Sequence, residues 1–321
     1  MIEASGLTRY YGDFPALSDA SFTIEDREIV GFLGLNGAGK STVLKILAGM
    51  LLPTAGKVTV GGLDATTDPD ALRRKVGFLP EEPPLYREMR VDEFLVWCGQ
   101  LKGLPKAKVV AELPRVIKTC QLEEVQTRVI GELSHGYKKR VGIAQAIIHK
   151  PDVVILDEPI SGLDPQQIVE MRQVVRSLKA HATVLISSHI LSEIAQTCDR
   201  ILVIHRGQLV AEGSEAELGA KVGEGKRVKL LLRADEADIA KALDDADIVD
   251  GHSIETTDGE VHTVLVDLTG DHREALVKLL VAADIGIRAV QDAVTELEQI
   301  FLSQTAAAEL KVGAGKVEAK A

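Results

Sequence analysis

The chain has 321 residues, 45% hydrophobic and 26% charged, an ordinary globular composition whose length suits one large domain and a smaller one. Its formal net charge of -11 argues against a protein whose main work is gripping a nucleic-acid backbone, which calls for clustered Lys and Arg. Cys98, Cys120 and Cys198 lie far apart without the paired spacing of a zinc or redox motif, so they read as reduced thiols of a cytosolic protein. No stretch reaches the roughly 18 consecutive apolar residues of a membrane span, and residues 1–10 lack the layout of a signal peptide. If the protein works at a membrane, another chain is expected to cross it.

In chain order, the first strong signal is the apolar run Ile29–Leu33, followed by Gly34-Leu35-Asn36-Gly37-Ala38-Gly39-Lys40-Ser41-Thr42 and a helical run over 43–48. Strand, glycine-rich loop and helix in that order fit the phosphate-loop pattern. The glycines let backbone amides turn toward phosphate oxygens, the helix start adds partial positive charge, and Lys40 places a mobile cation between β- and γ-phosphates. Ser41 offers its hydroxyl to Mg²⁺. Helical spacing of Val91, Phe94, Leu95 and Cys98 opens a stretch over 91–150 without a strong strand signal, read as part of an inserted helical subdomain spanning about 82–150.

Three further runs, Val153–Leu156, 183–186 and 201–204, are almost free of polar alternation, as expected of strands buried on both faces of a mostly parallel sheet. The first ends in Asp157-Glu158, a carboxylate that reaches Mg²⁺ followed by a base that polarises the attacking water. Such a pair can also simply cap the next element, but beside a phosphate loop it points to nucleoside triphosphate hydrolysis. The sequence around 219–226 reads as a linker. Beyond it, alternating Val228, Leu230 and Leu232, then Val264, Val266 and Leu268 after the Asp258-Gly259 turn, with helical patterns between, suggest a β-α-β-β-α-β ferredoxin-like unit over 227–304. A last helix is expected to start at Thr295, and the tail over 305–321 has too little large apolar surface to order.

With Leu133-Ser134-His135-Gly136-Tyr137 standing between the phosphate loop and the acidic strand, residues 1–218 resemble the ATP-binding-cassette ATPases. The resemblance implies an α/β phosphate-loop cassette with an inserted helical subdomain, binding ATP and Mg²⁺. It implies that Ser134 and Gly136 contact the γ-phosphate held by a second subunit, so that ATP binding closes a pair of ATPase subunits and hydrolysis reopens it. His135 and Tyr137 depart from the family's usual glycine and glutamine. Asp164, in Ser161-Gly162-Leu163-Asp164-Pro165, would touch the partner, His189 would contact the γ-phosphate, and Tyr11 would stack on adenine, with Tyr10 its rival. Glu81, where most members carry glutamine, would serve Mg²⁺. Lys40, Glu158 and His189 are the implied catalytic set.

The C-terminal unit and Leu85-Tyr86-Arg87-Glu88-Met89 look most like bacterial exporter ATPases that work with separate integral-membrane permease chains, at the cytoplasmic face of the membrane. Two other readings stand beside it. One is a soluble cassette ATPase acting on ribosomes or DNA, though neither a second cassette nor a long coiled-coil insertion is visible. The other is a nucleotide-controlled regulatory switch.

Overall fold

The structure, a computed structural model, describes residues 1–220 and 226–292. The chain divides into two compact units, 1–215 and 216–321. The expected helix at Thr295 and the tail over 305–321 lie outside the described residues, as does most of the stretch read as a linker.

The first unit opens with strands β1 (Ile2–Tyr11) and β2 (Phe14–Ile24), then β3 (Ile29–Leu33) and helix α1 (Lys40–Leu47). There follow β4 (Ala55–Val60), β5 (Leu63–Asp64), α2 (Pro69–Lys75) and β6 (Val76–Leu79). Three helices come next, α3 (Val91–Leu101), α4 (Lys106–Thr119) and α5 (His135–Ile147), with a 3-10 turn at Ile130–Glu132 before the last. The unit closes with β7 (Val153–Leu156), α6 (Pro165–Leu178), β8 (Thr183–Ser188), α7 (Leu191–Ala195), β9 (Arg200–His205) and β10 (Gln208–Gly213).

Two sheets organise these elements. An antiparallel sheet has the order β2-β1-β4-β5, and a second has the order β10-β9-β3-β8-β7-β6, parallel except for β10. Every residue of β3, β7 and β8 is buried, which explains the unbroken apolar runs Ile29–Leu33, Val153–Leu156 and 184–186 within them. One continuous core joins Ile2, Leu7, Leu17 and Phe22 of the first sheet, Val43, Leu44, Ile46 and Leu47 of α1, and Phe32, Ile155 and Leu185 of the second. Phe22 meets Phe32 edge-to-face at 5.6 Å across it.

The antiparallel sheet has no counterpart among the sequence expectations. The β1–β2 pairing shifts register at three places between Ala4 and Tyr10, so inward and outward positions fall out of strict alternation and the period-2 signal is lost. Strands β8 and β9 also run beyond the apolar runs that announced them, β8 through Ser187 and Ser188, whose hydroxyls have buried partners.

Parallel order fixes where chemistry can occur. Strands β3, β8 and β7 are neighbours and run in one direction, so the loops leaving Leu33, Ser188 and Leu156 emerge side by side at one edge. Ligands of open parallel sheets bind at such carboxyl ends. Helix α5 lies tight against β6: a Cβ built on Gly77 would sit 2.1 Å from the Ala146 carbonyl oxygen.

Helix α8 (Glu215–Ala220) starts at the last residue of the first unit, and its helix-forming Glu, Ala and Leu extend regular structure into the stretch read as a linker. The second unit continues with β11 (Lys226–Arg233), α9 (Glu236–Asp244), β12 (Val249–Asp258), β13 (Val261–Leu268), α10 (Arg273–Ala282) and β14 (Gly286–Asp292). Its sheet order, β12-β13-β11-β14, with antiparallel neighbours throughout, is the ferredoxin-like arrangement. Val228, Leu230, Leu232, Val264, Val266 and Leu268 face Ile239, Leu243, Leu276 and Leu280 of the two helices in one apolar core. Among the described residues no helix is long and apolar enough to cross a membrane.

Because backbone rather than a flexible side chain blocks the space beside Gly77, Gly77→Ala should destabilise the first unit by about 1–3 kcal/mol. The measurement is a urea titration followed by the fluorescence of Trp97, the chain's single tryptophan, which sits on α3 in this unit.

Candidate functional site

The loop after β3 is shaped by left-handed glycines and two close backbone approaches. Gly37 and Gly39 have φ of 81° and 112°, values that L side chains rarely adopt. A Cβ on Gly39 would lie 2.6 Å from the Ala16 carbonyl oxygen, and one on Gly34 would lie 2.4 Å from that of Ile204. Helix α1 starts at Gly39 without a side-chain cap and without an acidic residue in its first turn. Its first amides therefore face the loop with their positive ends uncompensated, the arrangement that receives phosphate.

Lys40 lies beneath this turn, 5% exposed. Its Nζ donates to the Gly34 carbonyl at 2.6 Å and to that of Leu35 at 3.3 Å, and it pairs with Glu158 Oε1 at 3.4 Å. A cavity of about 480 Å³ opens above, lined by Tyr11, Phe14, Ala16, residues 35–42, Glu81, Glu158, Ser161 and His189.

The acidic pair at the end of β7 is buried, with Asp157 3% and Glu158 7% exposed. Each carboxylate is held by specific donors. Asp157 Oδ1 accepts from Ser187 Oγ at 2.6 Å and from Ser41 Oγ at 3.2 Å. Glu158 Oε2 meets His189 Nδ1 at 3.1 Å, while its other oxygen faces Lys40. The main chain of Glu158 is left-handed, φ 48°, and its N–H donates to Ser187 Oγ at 2.9 Å. A non-glycine residue there carries strain of order 1–3 kcal/mol, sustained only because the surroundings overdetermine it.

The oxygen donors fit a hard divalent cation. Ser41 and Asp157 are already in contact and Glu81 faces the same cavity. Among the described residues no group of three or more His, Cys, Asp or Glu could hold a metal on its own. Mg²⁺ suits such a site, because it binds through one or two protein oxygens completed by substrate phosphates and water.

Of the residues singled out in the sequence, the cavity gathers Tyr11, Leu35, Asn36, Gly37, Ala38, Gly39, Lys40, Ser41, Thr42, Glu81, Glu158 and His189 in its walls. Gly34 and Asp157 stand just behind it. Tyr11 lines the cavity and Tyr10 does not. Ser134, Gly136 and Asp164 are absent from its walls. Ser134 Oγ caps α5 by accepting from the Tyr137 amide at 3.4 Å, and Asp164 Oδ1 caps α6 by accepting from the Gln167 amide at 2.9 Å. Gly136 leaves room for Gln167, whose Oε1 would be 2.5 Å from an added Cβ, and the Tyr137 ring lies 5.3 Å from the Arg140 guanidinium carbon.

Sequence reasoning missed Phe14, Ser161 and Ser187. Phe14 pairs across the β1–β2 hairpin with Tyr11, so the two exposed aromatics share one rim, and a strand assignment for residues 2–24 would have found it. Ser187 fastens the Asp157 carboxylate and the Glu158 main-chain N–H, and the cue was a polar residue inside an otherwise apolar buried strand. The thiols take no part: burial pushes Cys98 and Cys120 each up to about 12 and raises Cys198 as well, leaving them protonated at neutral pH.

The family model described as ABC transporter matches residues 17–161. The ABC transporter ATP-binding protein YxlF of Bacillus subtilis is 38% identical over 218 residues, 68% of this chain and 72% of that protein. The linearmycin resistance ATP-binding protein LnrL of the same organism is 29% identical over 313 residues, 95% of this chain and 98% of that one. A solved dimeric structure of a bacterial ABC transporter cassette superimposes with a TM-score of 0.60 at 25% identity, covering 67% of this chain and 98% of that one. Proteins of this kind bind ATP. Lys40→Ala should weaken MgATP binding roughly 10- to 100-fold, the worth of charge-assisted hydrogen bonds to phosphate, in a titration with a fluorescent ATP analogue.

Proposed function

The chain belongs to the family of ABC transporter ATP-binding proteins, and we propose that it energises an exporter from the cytoplasmic face of the cell membrane by ATP-driven closing and opening of a subunit pair. The observation that carries this reading is the cavity in which Lys40, Glu158 and His189 meet beside Asp157 and Ser41.

The chemistry follows from which charges compete. The α1 amides and the Lys40 ammonium receive the β- and γ-phosphates. In the structure that ammonium pairs with Glu158, and a triphosphate competes for it. As Lys40 turns toward phosphate, Glu158 keeps its contact with His189 and gains an oxygen free to accept a water proton. Glu158 then orients the attacking water, while Lys40 and His189 offset charge on the transferring phosphoryl group. Ser41, Asp157 and Glu81 would hold Mg²⁺, which when bound neutralises charge on the phosphate oxygens. The Tyr11 ring, beside Phe14, offers a flat face to adenine.

Ser134 and Gly136 stand away from their own chain's cavity, which supports a role at the cavity of a second subunit, with Asp164 beside the same interface. Neither subunit then surrounds the γ-phosphate alone, and ATP binds the pair together. Residues 1–218 act as the nucleotide-binding domain, the helical subdomain over 82–150 grips cytoplasmic loops of integral-membrane permease chains, and 227–304 form an accessory domain. The near full-length likeness to LnrL supports the export direction.

Glu158→Gln should lower steady-state ATP hydrolysis at least about 100-fold and accumulate an ATP-bound dimer in size-exclusion chromatography. Unchanged hydrolysis would reject Glu158 as the key carboxylate. Copurification from gently solubilised membranes tests the transport role: an integral-membrane partner is expected, and recovery of ribosomes or DNA without one would overturn it.

A further inference from the structure

One face of α5 is fastened to β6 residue by residue. Ala146 presses its carbonyl on Gly77, Gln145 Nε2 donates to the Phe78 carbonyl at 2.8 Å, and a Cβ on Gly142 would lie 2.6 Å from Leu79 Cδ1. At the end of this seam Lys139 Nζ donates to the Glu81 carbonyl at 2.6 Å. The order of contacts sets the first turn of α5, which carries Ser134, His135 and Gly136, beside the end of β6.

Lys139 reaches further. The same ammonium donates to the carbonyl of Glu158 at 3.1 Å, and the residue is 2% exposed. The left-handed peptide of Glu158 is thus gripped from two elements, its N–H by Ser187 of β8 and its carbonyl by Lys139 of α5. Packing alone does not account for a cation here, since an apolar chain of equal length would fill the space without the cost of removing an ammonium from water.

We infer that Lys139 is a positioning residue that ties the placement of the Glu158 carboxylate to the first turn of α5, so that phosphate held at Ser134 and Gly136 sets the water-orienting geometry in the same chain's own cavity. Each site of a subunit pair then reports its occupancy to the other through one side chain. The inference rests on the reading of Glu158 as the carboxylate that orients water. Shifts of α5 as small as those seen when packed helices move at interfaces, about 1–2 Å, exceed the tolerance of a hydrogen bond and would reach Glu158 directly.

The test uses the full chain and ATP turnover. Lys139→Met is expected to lower kcat at least about tenfold while KM stays within about threefold, since it leaves the phosphate-binding groups in place. Ser134→Ala should cost the parent protein turnover yet add little in the Lys139→Met background, because both substitutions cut the same link. Turnover of Lys139→Met within about twofold of the parent, or losses that simply multiply in the double variant, would overturn the inference. If Lys139→Met does not fold, Lys139→Leu, which likewise carries no donor, is judged by the same criteria. Glu158→Gln separates the two readings. Hydrolysis surviving in Glu158→Gln sinks the assignment of Glu158 itself; hydrolysis lost there but retained in the folded Lys139 variant sinks only the tie.

Discussion

Two carboxylates at the end of one strand are almost wholly removed from water, and the groups around them are arranged to make that state tolerable. An uncompensated buried carboxylate costs several kcal/mol, so Asp157 and Glu158 stand only because Ser41, Ser187, His189 and Lys40 are already aimed at them. The donors come from two places, the start of α1 after β3 and the end of β8, and the parallel order β3-β8-β7 is what brings both to the end of β7. The need to satisfy these oxygens therefore explains Ser187 within β8 and the buried lysine at the start of α1. The same lysine is the group a phosphate would draw away, so the balance that stabilises the site is also the one a ligand disturbs.

How much of this was visible in the sequence depended on how local each signal is. The phosphate loop needs its glycines at fixed spacing because adjacent backbone crowds Gly34 and Gly39, and such a requirement leaves a linear trace. The acidic pair was visible for a similar reason, an unbroken apolar strand ending abruptly in charge. Ser187 and Lys139 were not, because their roles depend on partners 30 and 58 residues away, and the one local cue was that Ser187 is polar within an otherwise apolar strand. The strands β1 and β2 escaped notice because repeated register shifts erase the alternation on which a strand assignment relies.

The second unit shows the opposite case. Its strands alternate cleanly, as in the pattern of β13, where every other residue is buried, and its turn carries Asp258-Gly259 where the hairpin reverses. With one core and two helices on one face of an antiparallel sheet, periodicity alone sufficed to give the order of elements. Ser134 and Asp164 lie between these extremes. Each does the ordinary work of capping a helix in its own chain, and a wider role for either becomes visible only when a second copy is considered.

The contact of Gly77 with the Ala146 carbonyl, and of Gly142 with Leu79, has a consequence for how this chain can change over time. Gly77 cannot acquire a side chain unless the facing helix moves away, which would also pull on Gln145 and Lys139, and Gly142 can do so only if Leu79 repacks. Substitutions along the seam are therefore constrained to arrive in compensating sets. Helix α5 and strand β6 are thereby bound to evolve as a single part.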